Sequence, residues 1–186
     1  MRSIIILIAF AMAAGPVLAS DAEERIKASR ATVKSFMVDL KGELQSAMKA
    51  GGPVNAIQVC KQKAPQIAAR ISNEKGWDVG RTSLKLRNPN NAADEWEKQV
   101  LQKFEQRKAN GEDPKTIEFH EVVIKGDKKQ FRYMKAIPTA PVCLACHGEK
   151  IKPKVATKLD QLYPDDMARG FKAGDIRGAF TIIQPM

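Results

Sequence analysis

The chain has 186 residues, which is enough for one domain with a substantial hydrophobic core. Its net charge at pH 7 is +10, but only 6% of its residues are aromatic, and no base-stacking or groove-reading module is recognisable. We therefore expect no nucleic-acid partner. The positive charge fits an acidic protein partner, anionic groups on a cofactor, an anionic membrane surface or a solvated face without a partner.

Residues 1–19, MRSIIILIAFAMAAGPVLA, have the pattern of a secretory signal peptide. Arg2 precedes the apolar run Ile4–Met12, and Val17-Leu18-Ala19 forms a small-residue cleavage site. This run is too short for a stable membrane anchor, and no other segment approaches the length of an apolar span. We therefore predict a periplasmic protein in which residues 20–186 form a single domain.

Two helices are predicted for the first part of this domain. Over residues 21–48 the apolar side chains recur every three or four positions, until Gly51-Gly52 interrupts the pattern. Pro53 fits the first turn of a second helix, which carries Cys60 on its apolar side. Pro65 lies inside that helix and has no N–H to donate, so we expect a kink just after the cysteine.

The downstream half of the chain changes from a helical to an alternating pattern. The predicted elements are an extended piece at Thr82–Leu86, a helix capped by Asn90 or Asn91 and ended by Asn110-Gly111, a hairpin of strands Thr116–Lys125 and Gln130–Ile137 around Gly126-Asp127, and a last strand at Ala179–Ile183. Helices followed by antiparallel strands indicate an α+β fold, with N-terminal helices packed on a small antiparallel sheet.

Between the hairpin and the last strand lies the sequence TAPVCLACHGEK. Cys143, Cys146 and His147 form C-x-x-C-H, the attachment signature of c-type haem. Two thiols three residues apart can form thioether bonds to the two vinyl groups of one porphyrin, and the next residue then brings an imidazole under the iron. The motif predicts one covalently attached haem c with His147 as the proximal ligand.

Two other interpretations of the paired cysteines fit less well. A thioredoxin-type disulfide needs a βαβ context, which the pattern lacks. A structural zinc site needs a second pair of ligands, and the sequence offers only Cys60 and His120 for it. Covalent haem also agrees with export, because its attachment takes place on the outer side of the bacterial inner membrane.

The residue pattern leaves the sixth ligand of the iron open. His120 lies in a predicted strand, where a histidine is more often structural. Met134 and Met167 would give the Met/His ligation common in electron-transfer cytochromes, although methionines in apolar patterns usually belong to the core. Cys60 is a thiol beside a predicted kink, and no further cysteine remains to pair with it. Spacing alone does not rank these residues.

Four blocks of the sequence carry a more specific resemblance. They are AIQVCKQKAPQIA, RTSLKLRNPNNAADEWE, FRYMKAIPTAPVCLACHG and YPDDMARGFKAGDIRGAF, and they span most of the mature chain in order. Together they resemble a family of c-type haem proteins with a PAS-like fold and His/Cys axial ligation. The resemblance implies that Cys60 is the distal ligand and His147 the proximal one. It also implies a role in redox or gas sensing.

Thiolate ligation by Cys60 has consequences for function. A thiolate favours the ferric state and a low reduction potential, and its bond should weaken on reduction. The sulfur could then leave and admit CO or NO, a change that a separate signalling protein would detect. The alternative is a low-potential electron carrier with a redox partner protein. We expect no enzymatic activity, because two strong axial ligands would block peroxide.

Several charged and aromatic residues fit supporting roles. Arg81, Lys85 and Arg87 flank the turn LRNPNN and could pair with the haem propionates. Tyr163 could donate a hydrogen bond to a propionate or simply pack. Four lysines follow the motif closely and could steer an acidic redox partner, although a solvated segment explains them equally: Lys150, Lys152, Lys154 and Lys158.

Overall fold

A computed structural model describes residues 16–186, with side chains from residue 20 onward. Residues 1–15 of the predicted signal peptide lie outside the described residues. The helices are α1 (Pro16–Gln58), α2 (Ala64–Lys75), α3 (Glu95–Ala109), α4 (Leu144–His147) and α5 (Pro153–Leu162), and the strands are β1 (Asp78–Thr82), β2 (Glu118–Lys125), β3 (Lys128–Pro138) and β4 (Ile176–Pro185). Within residues 16–186, no helix is long and apolar enough to cross a membrane.

The four strands form one antiparallel sheet in the order β1-β4-β3-β2. Ile182 at the centre of β4 pairs with Val79 of β1 on one side and with Tyr133 of β3 on the other. Because β4 comes last in the chain yet lies inside the sheet, β1 joins the sheet only through it. The predicted α+β fold, with helices packed on a small antiparallel sheet, is confirmed.

Helices cover both faces of the sheet. On one face α1 and α2 pack on a core in which the rings of Phe36 and Phe180 meet edge to face, 5.3 Å apart. On the other face α3 buries Leu101 and Phe104 against Met134 of β3. Successive side chains of β3 and β4 point to opposite faces of the sheet, so both strands contribute residues to both cores.

Helix α1 contains the predicted interruption. Gly51 and Gly52 have non-helical backbone angles, and Gly52 has a φ of 68°, which favours glycine. The segment from Pro53 onward is therefore a second helix in a new direction, as predicted. Phe36 of α1 is 1% exposed and belongs to the core, whereas its neighbour Met37 is 42% exposed.

Two predicted boundaries are wrong. The extended segment was predicted at Thr82–Leu86, but β1 occupies Asp78–Thr82, because left-handed Gly76 ends α2 and the strand follows almost at once. Residues after Thr82 turn instead, held by Ser83, whose hydroxyl bonds to Lys85 and to the carbonyl of Arg177.

The cap of α3 is the second correction. It is Asp94 and neither Asn90 nor Asn91, which lie in a short 3-10 turn before the helix. Asp94 accepts the backbone N–H of Glu97 at 2.8 Å, and the Glu97 carboxylate accepts the N–H of Asp94 at 3.1 Å. This reciprocal capping box satisfies two backbone donors at once and therefore defines the start of the helix.

Candidate functional site

A cleft opens where the C-terminal half of α1, strand β1, the start of β4 and helix α4 meet. The space between its walls, open solvent included, is about 1220 Å³. Leu40, Leu44 and Met48 of α1 contribute an apolar wall. Seven of the residues considered in the sequence as binding a cofactor also line the cleft, and Lys85 does not; the seven are Cys60, Arg81, Arg87, Cys143, Cys146, His147 and Tyr163.

The C-x-x-C-H motif is held in a compact turn. Pro141–Cys143 forms one turn of 3-10 helix, and α4 continues from Leu144 to His147. Ala140 before the turn is extended, as expected for a residue that precedes a proline. The backbone N–H of Phe171 donates to the carbonyl of His147 at 2.9 Å, which fixes the end of the motif to a later loop.

His147 has its two ring nitrogens in different surroundings. Nδ1 lies 2.8 Å from the carbonyl oxygen of Ala168, which can only accept, so the proton is on Nδ1. Arg177 Nε, 3.1 Å from the same nitrogen, is then a neighbouring charge and not its hydrogen-bond donor. Burial, Arg177 and Arg87 lower the pKa of His147 to about 3. The imidazole is therefore neutral, and the Nε2 lone pair is available to a ligand.

Arg87 and Asp166 form a buried ion pair behind the motif. Nε and Nη2 of Arg87 each lie 3.0 Å from one oxygen of the Asp166 carboxylate. Nη2 also donates to the carbonyls of Cys146 at 2.6 Å and Ala168 at 3.2 Å. Burial alone raises the pKa of Asp166, but hydrogen bonds from Arg87 and Arg169 outweigh it, and the net pKa is lowered. The carboxylate is thus ionised and paired.

Cys60 reaches the cleft from a single π-helical turn, Val59–Lys63. In this turn the N–H of Ala64 donates to the carbonyl of Val59, five residues earlier. Pro65 has no backbone N–H, so it can donate neither to the carbonyl of Lys61, four residues earlier, nor to that of Cys60, five residues earlier. The missing hydrogen bond favours the change from α-helical to π-helical bonding. The predicted irregularity beside the cysteine therefore takes the form of a widened turn. The Cys60 thiol is half-buried and forms no disulfide.

The remaining polar wall carries two arginines and a tyrosine. Burial lowers the pKa of Arg81, which lies over the ring of Phe36. Burial also lowers the pKa of Arg177 to about 10, with further lowering from nearby arginines. Burial, and then the neighbouring Cys60, raise the pKa of Tyr163 to about 12. The cleft is therefore positively charged, with a protonated phenol beside Cys60.

Three of the alternatives for the sixth ligand are not among the residues that line the cleft. His120 is an exposed residue of β2, and its ring stacks on that of Phe131 in β3, with ring centres 5.7 Å apart. Met134 is fully buried in the core below α3, and Met167 is 62% exposed. Cys60 does line the cleft, together with Met48 of α1.

Sequence reasoning missed two residues of the site, Asp166 and Arg177. Both lie in the block YPDDMARGFKAGDIRGAF, so the resemblance contained the signal, but no residue pattern distinguished them from surface charges. Asp166 is recognisable only through its partner Arg87 on a distant segment. Arg177 is the second residue of β4 and lies beside His147 because β4 pairs with β1 and β3.

The edge of the site near the motif is exposed and basic. Lys150, Lys152 and Lys154 are exposed, whereas Lys158 is half-buried. Within residues 16–186, none of these four lysines forms an ion pair. Val142, next to the first motif cysteine, is 52% exposed. This combination places an apolar spot and unpaired positive charges on the same side of the cleft.

The fold and the cleft define an α+β protein with a C-x-x-C-H turn facing a free thiol. The family model described as Tll0287-like: Tll0287 matches residues 18–185, so this chain belongs to the Tll0287-like family. A solved structure titled "Crystal structure of the cyanobacterial heme-protein Tll0287" is similar, with a TM-score of 0.67 and 24% identity over 88% of this chain and 96% of that chain. No curated protein matches. The resemblance to a family of haem proteins inferred from the sequence is confirmed.

Proposed function

We propose that this protein is a periplasmic c-type cytochrome with one covalently attached haem, ligated by His147 and Cys60, that senses redox state or a small gas through a change of ligation. Family membership and likeness to a cyanobacterial haem protein support a haem cofactor. The C-x-x-C-H motif supports covalent attachment, and its single occurrence supports one haem. The signal-like N-terminus supports export.

The residues of the cleft fit a haem. Cys143 and Cys146 lie on one turn at the edge of a cleft with apolar walls. The observation that carries the proposal is the state of His147: Nδ1–H is bonded to a carbonyl, as in most metal-binding histidines, while Nε2 keeps its lone pair. The side chain of Arg81 forms no hydrogen bond or ion pair within the described residues, so its guanidinium is free to bind a propionate.

Bound haem would supply a one-electron iron couple and a coordination site. The contribution of the chain is to anchor the porphyrin and to position the two side chains that would bind the iron. Cys143 and Cys146 would anchor the porphyrin, Ala168 would keep His147 oriented, and the π turn would direct Cys60 from another wall. As a thiolate, Cys60 favours the oxidised state, and its release on reduction would free space for CO or NO. A separate signalling protein would read this change.

Electron transfer is the second candidate function. The exposed Val142 and the unpaired Lys150, Lys152 and Lys154 beside the motif favour it, because an apolar spot within positive charge suits docking of an acidic redox partner. We do not propose an enzyme. Among the residues that line the cleft, His147 is the single histidine, and it would be occupied as the proximal ligand.

Replacing Cys60 by alanine is the experiment that tests this function. Optical and EPR spectra of the haem-loaded wild type should show a low-spin thiolate signature in the ferric state, and Cys60→Ala should abolish it while haem stays attached. In the wild type, reduction with dithionite should remove the thiolate signature and permit CO binding if the protein is a sensor. Retention of both ligands after reduction would favour the electron carrier.

His120→Ala is the matched control. His120 lies on an exposed strand away from the cleft, so its removal should leave both spectra unchanged. Wild-type spectra in Cys60→Ala, or a changed ferric spectrum in His120→Ala, would contradict the assignment of Cys60.

A further inference from the structure

The ion pair behind the motif is part of a closed ring of contacts around His147. His147 Nδ1–H donates to the carbonyl of Ala168, and the N–H of Ala168 donates to Asp166 at 2.9 Å. Asp166 accepts from Arg87, which donates in turn to the carbonyl of Cys146, the residue before the histidine. The ring ties the motif to a loop about twenty residues later, and it encloses the imidazole on its Nδ1 side.

Arg87 also engages the opposite side of the imidazole. Its Nη1 lies 3.4 Å from Nε2 of His147, the nitrogen that a metal would use. Because a guanidinium can only donate, this contact fits a lone pair on Nε2 and the proton on Nδ1. The carbonyl of Ala168, 2.8 Å from Nδ1, favours the same tautomer from the other side. Arg177 Nε, 3.1 Å from Nδ1, opposes it as a donor, but the Ala168 contact is shorter, and together with Arg87 it favours the Nδ1–H form.

Burial and hydrogen bonding leave Arg87 little freedom for other roles. Its side chain is 6% exposed and that of Asp166 is 1% exposed. Nε and Nη2 are both occupied by Asp166 and by backbone carbonyls, so only Nη1 could turn to an incoming group. The two Arg87 nitrogens that could bind a propionate together, Nε and Nη2, are therefore already bonded to Asp166 and to the backbone. Arg81, which has no such partner among the described residues, is better placed for that task.

We propose that Arg87 and Asp166 are positioning residues that hold His147 as the neutral Nδ1–H tautomer and keep Nε2 directed into the cleft, and that Arg87 is not a propionate ligand. The inference rests on the proposed haem-binding function. Only the Nη1 contact competes with a metal for Nε2, so the rest of the ring can stay intact when haem is bound. The pair would contribute to haem attachment by presenting the ligand in advance.

The test in the haem-loaded, full-length chain compares Arg87→Gln and Asp166→Asn with the wild type. Covalent haem incorporation should be slower in both variants, by about tenfold. The midpoint potential should fall in Arg87→Gln, which removes a buried positive charge beside His147, and rise in Asp166→Asn, which removes the buried negative charge that pairs with Arg87. Shifts of the same sign in both variants, as general loosening would give, would overturn the proposal.

Arg169→Gln is the matched control. Arg169 donates to the same Asp166 carboxylate at 2.8 Å, but it is one-third exposed and makes no contact with His147. Its removal should leave the haem incorporation rate and the midpoint potential at wild-type values. A tenfold loss of haem incorporation in Arg169→Gln as well would show that any weakening of Asp166 has this effect, and would overturn the specific role of Arg87.

A measurement on the haem-free chain separates this proposal from the proposed function. Long-range proton–nitrogen NMR reports which ring nitrogen is protonated, and the chain has only two histidines, so His120 serves as an internal reference. The wild type should show Nδ1–H for His147, and Arg87→Gln should show a mixture of tautomers. If Arg87→Gln does not fold, Asp166→Asn is judged by the same criterion. A folded variant with the wild-type tautomer would overturn the proposal, even if no form of the chain takes up haem.

Discussion

Replacing both Cys143 and Cys146 by alanine should convert the haem from covalently attached to extractable. The two thiols lie on one turn at the edge of the cleft, and thioether bonds to them are the only covalent link that the motif provides. Acidified acetone should therefore leave haem with the denatured wild-type protein and remove it completely from the double variant. Absorption of both fractions as the pyridine complex measures the distribution.

Cys60→Ala provides the control for this extraction. Cys60 faces the cleft from the π turn and takes no part in the motif, so the variant should lose its thiolate spectrum and yet keep its haem through extraction. The two results together would distinguish the residues that attach the haem covalently from the residue that binds its iron. Extraction of haem from the wild type would contradict covalent attachment and leave a non-covalent haem protein.

Gly178→Ala should cause the largest loss of stability among single methyl additions to the sheet. Gly178 has a φ of 155°, and a Cβ there would collide with the carbonyl oxygen of Thr82 and lie 3.1 Å from the Cβ of Ser83. Steric crowding and backbone strain together should lower the free energy of unfolding by roughly 3 kcal/mol. Denaturant unfolding measures this loss, and haem content should fall with it, because all three residues line the cleft.

Gly80→Ala is the corresponding control on the neighbouring strand. A Cβ at Gly80 would meet only the methyl group of Thr181, at an ordinary distance of 3.7 Å. The free energy of unfolding should therefore change by less than about 1 kcal/mol. Equal losses in the two variants would mean that the close approach of β4 to the segment after β1 does not limit stability.

Local signals made much of the fold predictable. The apolar period of α1, the glycine pair that ends it and the hairpin turn at Gly126-Asp127 depend on neighbouring residues, and the structure has each of them. The extended segment is misplaced because glycine is typical of turns, whereas Gly80 lies inside β1 opposite Thr181. Whether a glycine ends a strand or makes room for a neighbour is decided by that neighbour, which lies far along the chain.

The sequence predicts the part of the site that is formed by neighbouring residues, but not the part formed by residues far apart in the chain. Cys143, Cys146 and His147 are adjacent, and the chemistry of haem attachment fixes their spacing. Cys60 could be ranked above His120 only through the family resemblance, because no rule of spacing relates it to the motif. Asp166 lies in one of the resembling blocks, but no residue pattern distinguishes it there, since its role depends on a partner 79 positions away. Contacts of this kind follow from topology and not from any local pattern.

The π turn at Val59–Lys63 has a consequence for how the length of this segment can vary. It contains one residue more than an α-helical turn, and each residue of an α-helix rotates the side-chain direction by about 100°. Deleting one residue from the turn would restore regular α-helical hydrogen bonding. Because Ile67 and Ile71 are fixed in the core, the Cys60 side chain would then point in a different direction from the helix axis. The direction of the thiol is therefore encoded by a residue count. Substitutions in this segment can be tolerated where a single insertion or deletion cannot.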